Sequence, residues 1–370
     1  MRIIVNGLSV TNPSAHHVLL GHLERVARWT RGEHHFLVLH HAANRGLRRD
    51  LGPNVEWVEC PSATRHWGAR SVWESGELPR LARKQGADRL FTPAGTVVPR
   101  LHIPQVSFAQ NPWSLVPGLR RTPFERVKAW LQRKAYRAAM DQARVMVFNS
   151  EYMRGAYRAN AGRRERGASE VVYQAIDDTT HDAAAQSTGT PRRPHTILTV
   201  SVMAPHKGVE TVVDALALVR KRGLPAELQL AGPWPRPSYE RFIRAQVRRL
   251  RLEDAVVFHG RVSRDELYRL YAEARVFCLM SRCESFGIPA VEAQVFGTPV
   301  VSSDCCAIPE VCGGGGVYPP PGDADAVAAA LVSLLTDERA WSGRSEAARA
   351  NAGRFRWDEC SRPLMAALVA

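Results

Sequence analysis

Short apolar runs alternate with longer stretches in which apolar residues recur every three or four positions, from one end of the chain to the other. A brief apolar run bounded by turn residues reads as a buried strand, and a longer periodic stretch as an amphipathic helix. Such alternation argues for parallel sheets in α/β units, because parallel neighbours need a crossover connection and a helix supplies it. The first half predicts strands at 3–5, 35–39, 55–58, 89–91, 105–108 and 145–148, with helices at 15–30, 75–86, 122–143 and 151–160. The second predicts strands at 196–200, 227–231, 256–258, 276–279 and 299–302, with helices at 208–222, 238–250, 264–273, 288–296 and 324–336. The polar, Pro-containing stretch from about 178 to 195 reads as a linker or exposed loop. The expected fold class is α/β, two Rossmann-like domains facing across a cleft, with ligands beyond the carboxyl ends of the strands.

The chain has 370 residues, enough for two domains with sizeable cores, and its 45% hydrophobic and 23% charged composition is that of a globular protein. No apolar run is long enough to span a bilayer, and the opening MRIIVNGLSV reads as a first strand rather than a signal peptide. The expectation is a soluble, cytoplasmic chain. Its seven cysteines lack Cys-x-x-Cys spacing and suggest reduced, structural thiols rather than a disulfide framework or zinc site.

A formal net charge of +14 points to an anionic partner: nucleic acid, phospholipid headgroups or a phosphorylated substrate. Part of the excess is local, since residues 120–144 hold eight basic and two acidic side chains. Phe124, Val127, Trp130 and Leu131 recur there at helical spacing. Two readings stand: a solvated helix with its apolar stripe in the core, or a helix resting on an anionic membrane. No nucleic-acid-binding signature accompanies the charge, so no nucleic-acid partner is expected.

Chemistry concentrates in CESFGIPAVEAQVFGTPVV, residues 283–301. A loop after a strand carries Glu284, and the following helix carries Pro289 near its start and Glu292 on its first turns. The amides of Phe286, Gly287 and Ile288 then lie at a helix N-terminus, suited to an anion or to sugar hydroxyls. The alternative is a capping carboxylate and a solvated helix glutamate. A second loop, APHKGVETVVDAL at 204–216, places Lys207 and Gly208 before another helix, a good phosphate contact without the spacing of a Walker loop. Taken alone it could equally be a simple connection. The Asp-x-Asp within GDADA at 322–326 precedes an alanine-rich helix and reads as a cap.

In their order and spacing, ESFGIPAVEA, FGTPVVSSDCCAIPEV and APHKGVETVVDAL resemble glycosyltransferase family 4, retaining nucleotide-sugar enzymes of the GT-B fold. VFNSEYMRGAYR, VVYQAID, FHGRVSRDELYRLYAEARVF and FRWDECSRPLMAAL extend the resemblance over nearly the whole chain. It implies an acceptor-side domain at 1–185, a nucleotide-sugar domain at 186–350, and a last helix at 351–370 crossing back to the first domain. It implies that Glu292 binds the ribose hydroxyls and that Glu284 orients the transferred sugar. The amides of Phe286, Gly287 and Ile288 would contact the sugar or diphosphate, Lys207 would neutralise the leaving diphosphate, and Gly208 would let the backbone approach. No metal or other cofactor is implied.

The chain departs from the family at three places. Val202 stands where an arginine usually partners the lysine, leaving Arg282, Arg261 and His206 as candidates for that help. NPSAHH at 12–17 replaces a glycine pair, and Gln110, beside Asn111 in FAQNPWS, replaces a histidine on the acceptor or sugar side. The expected activity is retaining transfer of a hexose from a nucleoside-diphosphate sugar to a growing glycan in cell-surface polysaccharide synthesis, such as lipopolysaccharide or exopolysaccharide. A lipid-linked acceptor and peripheral contact with the inner face of an anionic membrane fit the basic helix. The competing readings are another enzyme on this fold, and a transferase-like nucleotide-binding protein whose catalysis has lapsed.

Overall fold

In the computed structural model the first apolar run is strand β1 (Arg2–Asn6), inside a parallel sheet of order β3-β2-β1-β4-β5-β6-β7. Residues 1–119, 122–162 and 166–369 are described. After β1 come α1 (Pro13–Trp29), β2 (His35–His40), β3 (Val55–Glu59), α2 (Trp67–Lys84), β4 (Arg89–Thr92) and β5 (Gln105–Ala109). Next are α3 (Pro123–Gln142), β6 (Val145–Phe148), α4 (Glu151–Ala161) and β7 (Ala168–Val171). Side chains alternate across the sheet: Ile3 and Val5 pack with Val18, Leu19 and Leu23 of α1, while Ile4 packs with Leu78 and Ala82 of α2. With helices on both faces the inner strands are buried along nearly their whole length, whereas the edge strands β3 and β7 keep exposed glutamates.

The second sheet, also parallel, has the order β10-β9-β8-β11-β12-β13. Its elements are α5 (Asp178–Gln186), β8 (Arg193–Val200), α6 (Val209–Lys221), β9 (Glu227–Ala231), α7 (Pro237–Arg249), β10 (Val256–Gly260) and α8 (Arg264–Glu273). They continue with β11 (Ala274–Leu279), α9 (Ile288–Val295), β12 (Val300–Ser302), α10 (Ile308–Cys312), β13 (Gly316–Val317), α11 (Ala324–Thr336) and α12 (Glu338–Ala352). The last helix, α13 (Trp357–Val369), returns to α1. A Cβ at Gly21 would lie within 2.5 Å of three Trp357 ring atoms, so α1 and α13 meet through a glycine notch. Beside it His22 Nδ1 bonds Ser361 Oγ at 2.9 Å, and Arg25 Nε donates to Asp358 at 2.8 Å. The chain thus divides into Met1–Ala175 with Trp357–Ala370, and Ile176–Arg356. The divisions fall at 175/176 and 356/357, against the expected 185/186 and 350/351.

Two expectations need correction. The stretch read as a linker begins with helix α5 and ends inside β8. The buried residues of α5 are Thr180, His181 and Ala184, and Thr180 Oγ1 meets the Tyr268 hydroxyl at 2.9 Å, so its inner face is polar and small rather than apolar. The basic helix also faces the opposite way from one of its two readings. Ala129, Tyr136, Ala139 and Met140 of α3 are buried, with Tyr136 stacked on Tyr157 at 4.5 Å. Phe124, Val127, Trp130 and Leu131 lie on the other face, 75%, 58%, 48% and 43% exposed. Alanines make the close packing, so the larger apolar side chains point to solvent. Arg120 and Arg121, which opened that basic stretch, lie outside the described residues.

Candidate active site

The second sheet changes direction between β8 and β11. The chain leaves β8 toward β9 and leaves β11 toward β12, so the carboxyl ends of these adjacent strands are the topological switch point, the place where parallel sheets of this kind bind ligands. After β8, a turn at Pro205–Lys207 leads to Gly208 in the left-handed region at φ 65°. A Cβ there would stand 2.1 Å from the Met280 carbonyl oxygen, so the turn rests directly on the start of the loop after β11. The Arg282 amide donates to the His206 carbonyl at 2.7 Å and fastens the two loops together. A third loop joins from β12: Ser303 Oγ donates to the Ser281 carbonyl at 2.5 Å, and the Ala307 amide to the Glu284 carbonyl at 3.4 Å.

This seam brings Lys207 to Glu284. The ammonium bonds Glu284 Oε1, which also accepts from Ser281 Oγ at 3.3 Å, and the paired side chains are 16% and 13% exposed. A half-buried ammonium–carboxylate pair can release its cation to a stronger anion, such as a phosphate. Arg282 lies over the same turn, with Nη2 3.0 Å from Glu210 Oε1 and Nη1 3.5 Å from the Pro205 carbonyl.

Helix α9 starts at Ile288, after Gly287 at φ 102°. The Phe286 side chain is buried and meets Phe355 edge-on at 5.3 Å, which withholds that side chain from a ligand. One helical stretch on, Glu292 Oε2 accepts from the Tyr271 hydroxyl at 3.0 Å. Burial raises the Glu292 carboxyl to about 7, against the opposing effect of that hydrogen bond. Such a carboxylate, half-neutral near physiological pH, gains by ionising against a pair of hydroxyl donors.

Gln110 and Asn111 follow β5 in the other unit, where Asn111 Oδ1 accepts from the Trp113 amide at 3.0 Å in an Asx turn. Val202 is 55% exposed, and Glu310 lies on α10. Asp323 caps α11 by accepting from the Ala326 amide at 2.9 Å, as its place before an alanine-rich helix suggested. Among the described residues no group of three His, Cys, Asp or Glu side chains is placed to hold a metal ion. Sequence reasoning missed Glu210, Tyr239 and Tyr271. Their only signal was helical position, and an acidic residue in a first turn ordinarily reads as a dipole partner.

Residues 181–354 match the family described as Glycosyl transferases group 1. The second unit belongs to that family. The chain is 31% identical over 168 residues to the O-antigen chain mannosyltransferase B of Escherichia coli, covering 44% of this chain and 43% of that protein. It is 37% identical over 147 residues to the MMP alpha-(1->4)-mannosyltransferase of Mycolicibacterium hassiacum, covering 39% of this chain and 34% of that protein. The chain thus spans less than half the length of either relative. Among solved structures, Anabaena HepE in complex with UDP and glucose superposes with a TM-score of 0.71 at 21% identity, covering 100% of this chain and 99% of that one. WaaG, a glycosyltransferase involved in lipopolysaccharide biosynthesis, superposes with a TM-score of 0.66 at 18% identity, covering 100% of both chains. At that identity the likeness concerns the fold, which is GT-B.

Proposed function

We propose that the protein transfers a hexose, with retention of anomeric configuration, from a nucleoside-diphosphate sugar to a growing glycan in cell-surface polysaccharide synthesis. The observation that carries this reading is the Lys207–Glu284 pair at the switch point of a group 1 glycosyltransferase unit. On donor binding the diphosphate takes the Lys207 ammonium, and Glu284 turns to the hydroxyls of the sugar. Glu292 accepts from the ribose hydroxyls, and the main chain at 286–288 meets the sugar or diphosphate. As the bond from the anomeric carbon to the diphosphate oxygen breaks, negative charge grows on that oxygen beside Lys207, the place where a fixed cation contributes most. The acceptor hydroxyl forms its bond to the anomeric carbon on the same face and passes its proton to the departing phosphate oxygen. Charge compensation by Lys207 asks for no metal ion.

HepE, crystallised with UDP and glucose, and the mannosyltransferase relatives support a hexose on a nucleotide without choosing the base. The exposed Phe124, Val127, Trp130 and Leu131 on a basic helix support an acceptor presented at an anionic membrane. Lys134 lies 4.3 Å from the Trp130 ring centre, a cation–π pair one turn apart on that exposed face. The test is thermal stabilisation by UDP, GDP, ADP and CMP, with and without EDTA. A nucleotide at about a hundred times its dissociation constant adds roughly 2.7 kcal/mol to the folded state. One nucleotide raising the melting temperature, equally with EDTA, is the expected result. Binding without sugar turnover would favour the lapsed enzyme, and no response to any nucleotide would refute the donor site.

A further inference from the structure

Two cations, Lys207 and Arg282, lie on the fastened loops of the donor site, and each is paired with a carboxylate. The two pairs are built differently. Glu284 holds Lys207 inside a nearly closed contact, whereas Arg282 remains 39% exposed and its Glu210 partner 20%. Glu210 is itself held from behind: the Tyr239 hydroxyl donates to its Oε2 at 2.5 Å. Tyr239 in turn is only 7% exposed, and its ring lies against Trp234 and Phe242 at centroid distances of 5.8 and 6.2 Å. With Oε2 occupied, Oε1 takes one guanidinium nitrogen, Nη2, while Nη1 rests 3.5 Å from the Pro205 carbonyl, so the carboxylate steadies the flat fork at one corner rather than clasping it. Gln246, which bonds the Glu210 carbonyl at 2.9 Å and Asp214 at 2.7 Å, fixes the helix that carries this carboxylate.

We propose that Glu210 and Tyr239 are positioning residues that hold Arg282 beside Lys207 as the second cation for the donor diphosphate. Val202 brings no charge to the loop after β8, and Arg282 supplies a second cation from the neighbouring loop. This rests on the donor-site reading above. It makes a prediction opposite to simple charge counting: removing the Glu210 carboxylate raises the local positive charge, which alone would tighten diphosphate binding, whereas loss of positioning weakens it.

The experiment measures dissociation constants of UDP, UMP, GDP and GMP by calorimetry for the wild type and for Arg282→Ala, Glu210→Gln and Tyr239→Phe. The quantity read is the preference for the diphosphate over the monophosphate of the same base, which a general loosening of the unit would not change. Arg282→Ala and Glu210→Gln should each lower that preference by about tenfold, the effect of one charge-assisted contact, with monophosphate affinity little altered. Tyr239→Phe, which frees both Glu210 oxygens to clasp the guanidinium, should lower it in the same direction. A preference unchanged in Arg282→Ala, or increased in Glu210→Gln, overturns the positioning role while leaving the donor site standing. A wild type that does not distinguish diphosphate from monophosphate overturns the donor-site reading itself, and this inference with it.

Discussion

Glu292 offers a test that needs no substrate. Its carboxyl is raised from 4.5 to about 7 by burial, so the folded unit holds a proton there over a pH range in which the unfolded chain has lost it. The sign follows from linkage: the folded state binds more protons, so the stability it contributes is full below 4.5 and is lost as pH rises through 7. At about 1.4 kcal/mol for each tenfold change in proton affinity, the whole loss is roughly 3 kcal/mol, and about 2.5 kcal/mol of it falls between pH 5 and pH 8. Glu292→Gln keeps an oxygen for the Tyr271 hydroxyl and removes the titration. Calorimetry of both proteins at pH 5, 6, 7 and 8 would follow the transition of the Ile176–Arg356 unit. A unit of this size shifts by about 2–4 °C per kcal/mol, so the wild type should lose about 5–10 °C relative to Glu292→Gln across the range. Other titrating groups cancel in the difference. A gap between the two proteins that stays constant with pH would refute the claim that burial holds this carboxyl half-neutral.

The first unit should respond to pH in the opposite direction. His22, buried against Trp357 and Ser361, is lowered from 6.5 to about 3 by burial, with the charge of His17 adding to the effect. Its contribution is present above 6.5 and lost as pH falls, by about 2 kcal/mol between pH 7 and pH 5, so the two calorimetric transitions should move apart in opposite senses on acidification. Gly208→Ala places a Cβ 2.1 Å from the Met280 carbonyl at a positive φ, and should lower the stability of the second unit by roughly 2 kcal/mol or more, read by urea titration. In steady-state assays with the donor found by thermal shift, Glu292→Ala should chiefly raise donor KM and Lys207→Ala chiefly lower kcat; equal effects on both parameters would contradict the assigned roles. Vesicles of anionic phospholipid should sediment the wild type at low salt, and Phe124→Ser/Trp130→Ser should sediment less; indifference to these substitutions would remove α3 from the membrane contact.

What the sequence discloses follows from how each feature is encoded. Parallel strands buried on both faces leave unbroken apolar runs, so β1, β2, β8, β9 and β11 are legible from composition alone. Lys207 and Glu284 are legible because a residue that follows a strand in such a sheet has few places to go, and the switch between β8 and β11 puts these two loops side by side. Helix α5 is hidden because its inner face is made of Thr180, His181 and Ala184, which carry no apolar period. The orientation of α3 is hidden for the converse reason: its apolar period is real but is turned outward, while alanines and Tyr136 make the packed face. Periodicity reports that a helix has two unlike faces and does not say which one meets the core. The Arg282–Glu210–Tyr239 chain is the least legible of all, since two helices and a loop distant in sequence must first be folded for its members to touch. Charge counting alone sees Glu210 as a neutralising partner of Arg282, and its contacts to Arg282 and Tyr239 become visible only in the folded structure. The same reasoning applies to Cys306, which adopts φ 62° and donates its thiol to the Arg282 carbonyl at 3.5 Å. The strained turn at Cys306 thus brings the loop after β12 to the main chain of Arg282, a further tie across the seam between the three strand-end loops.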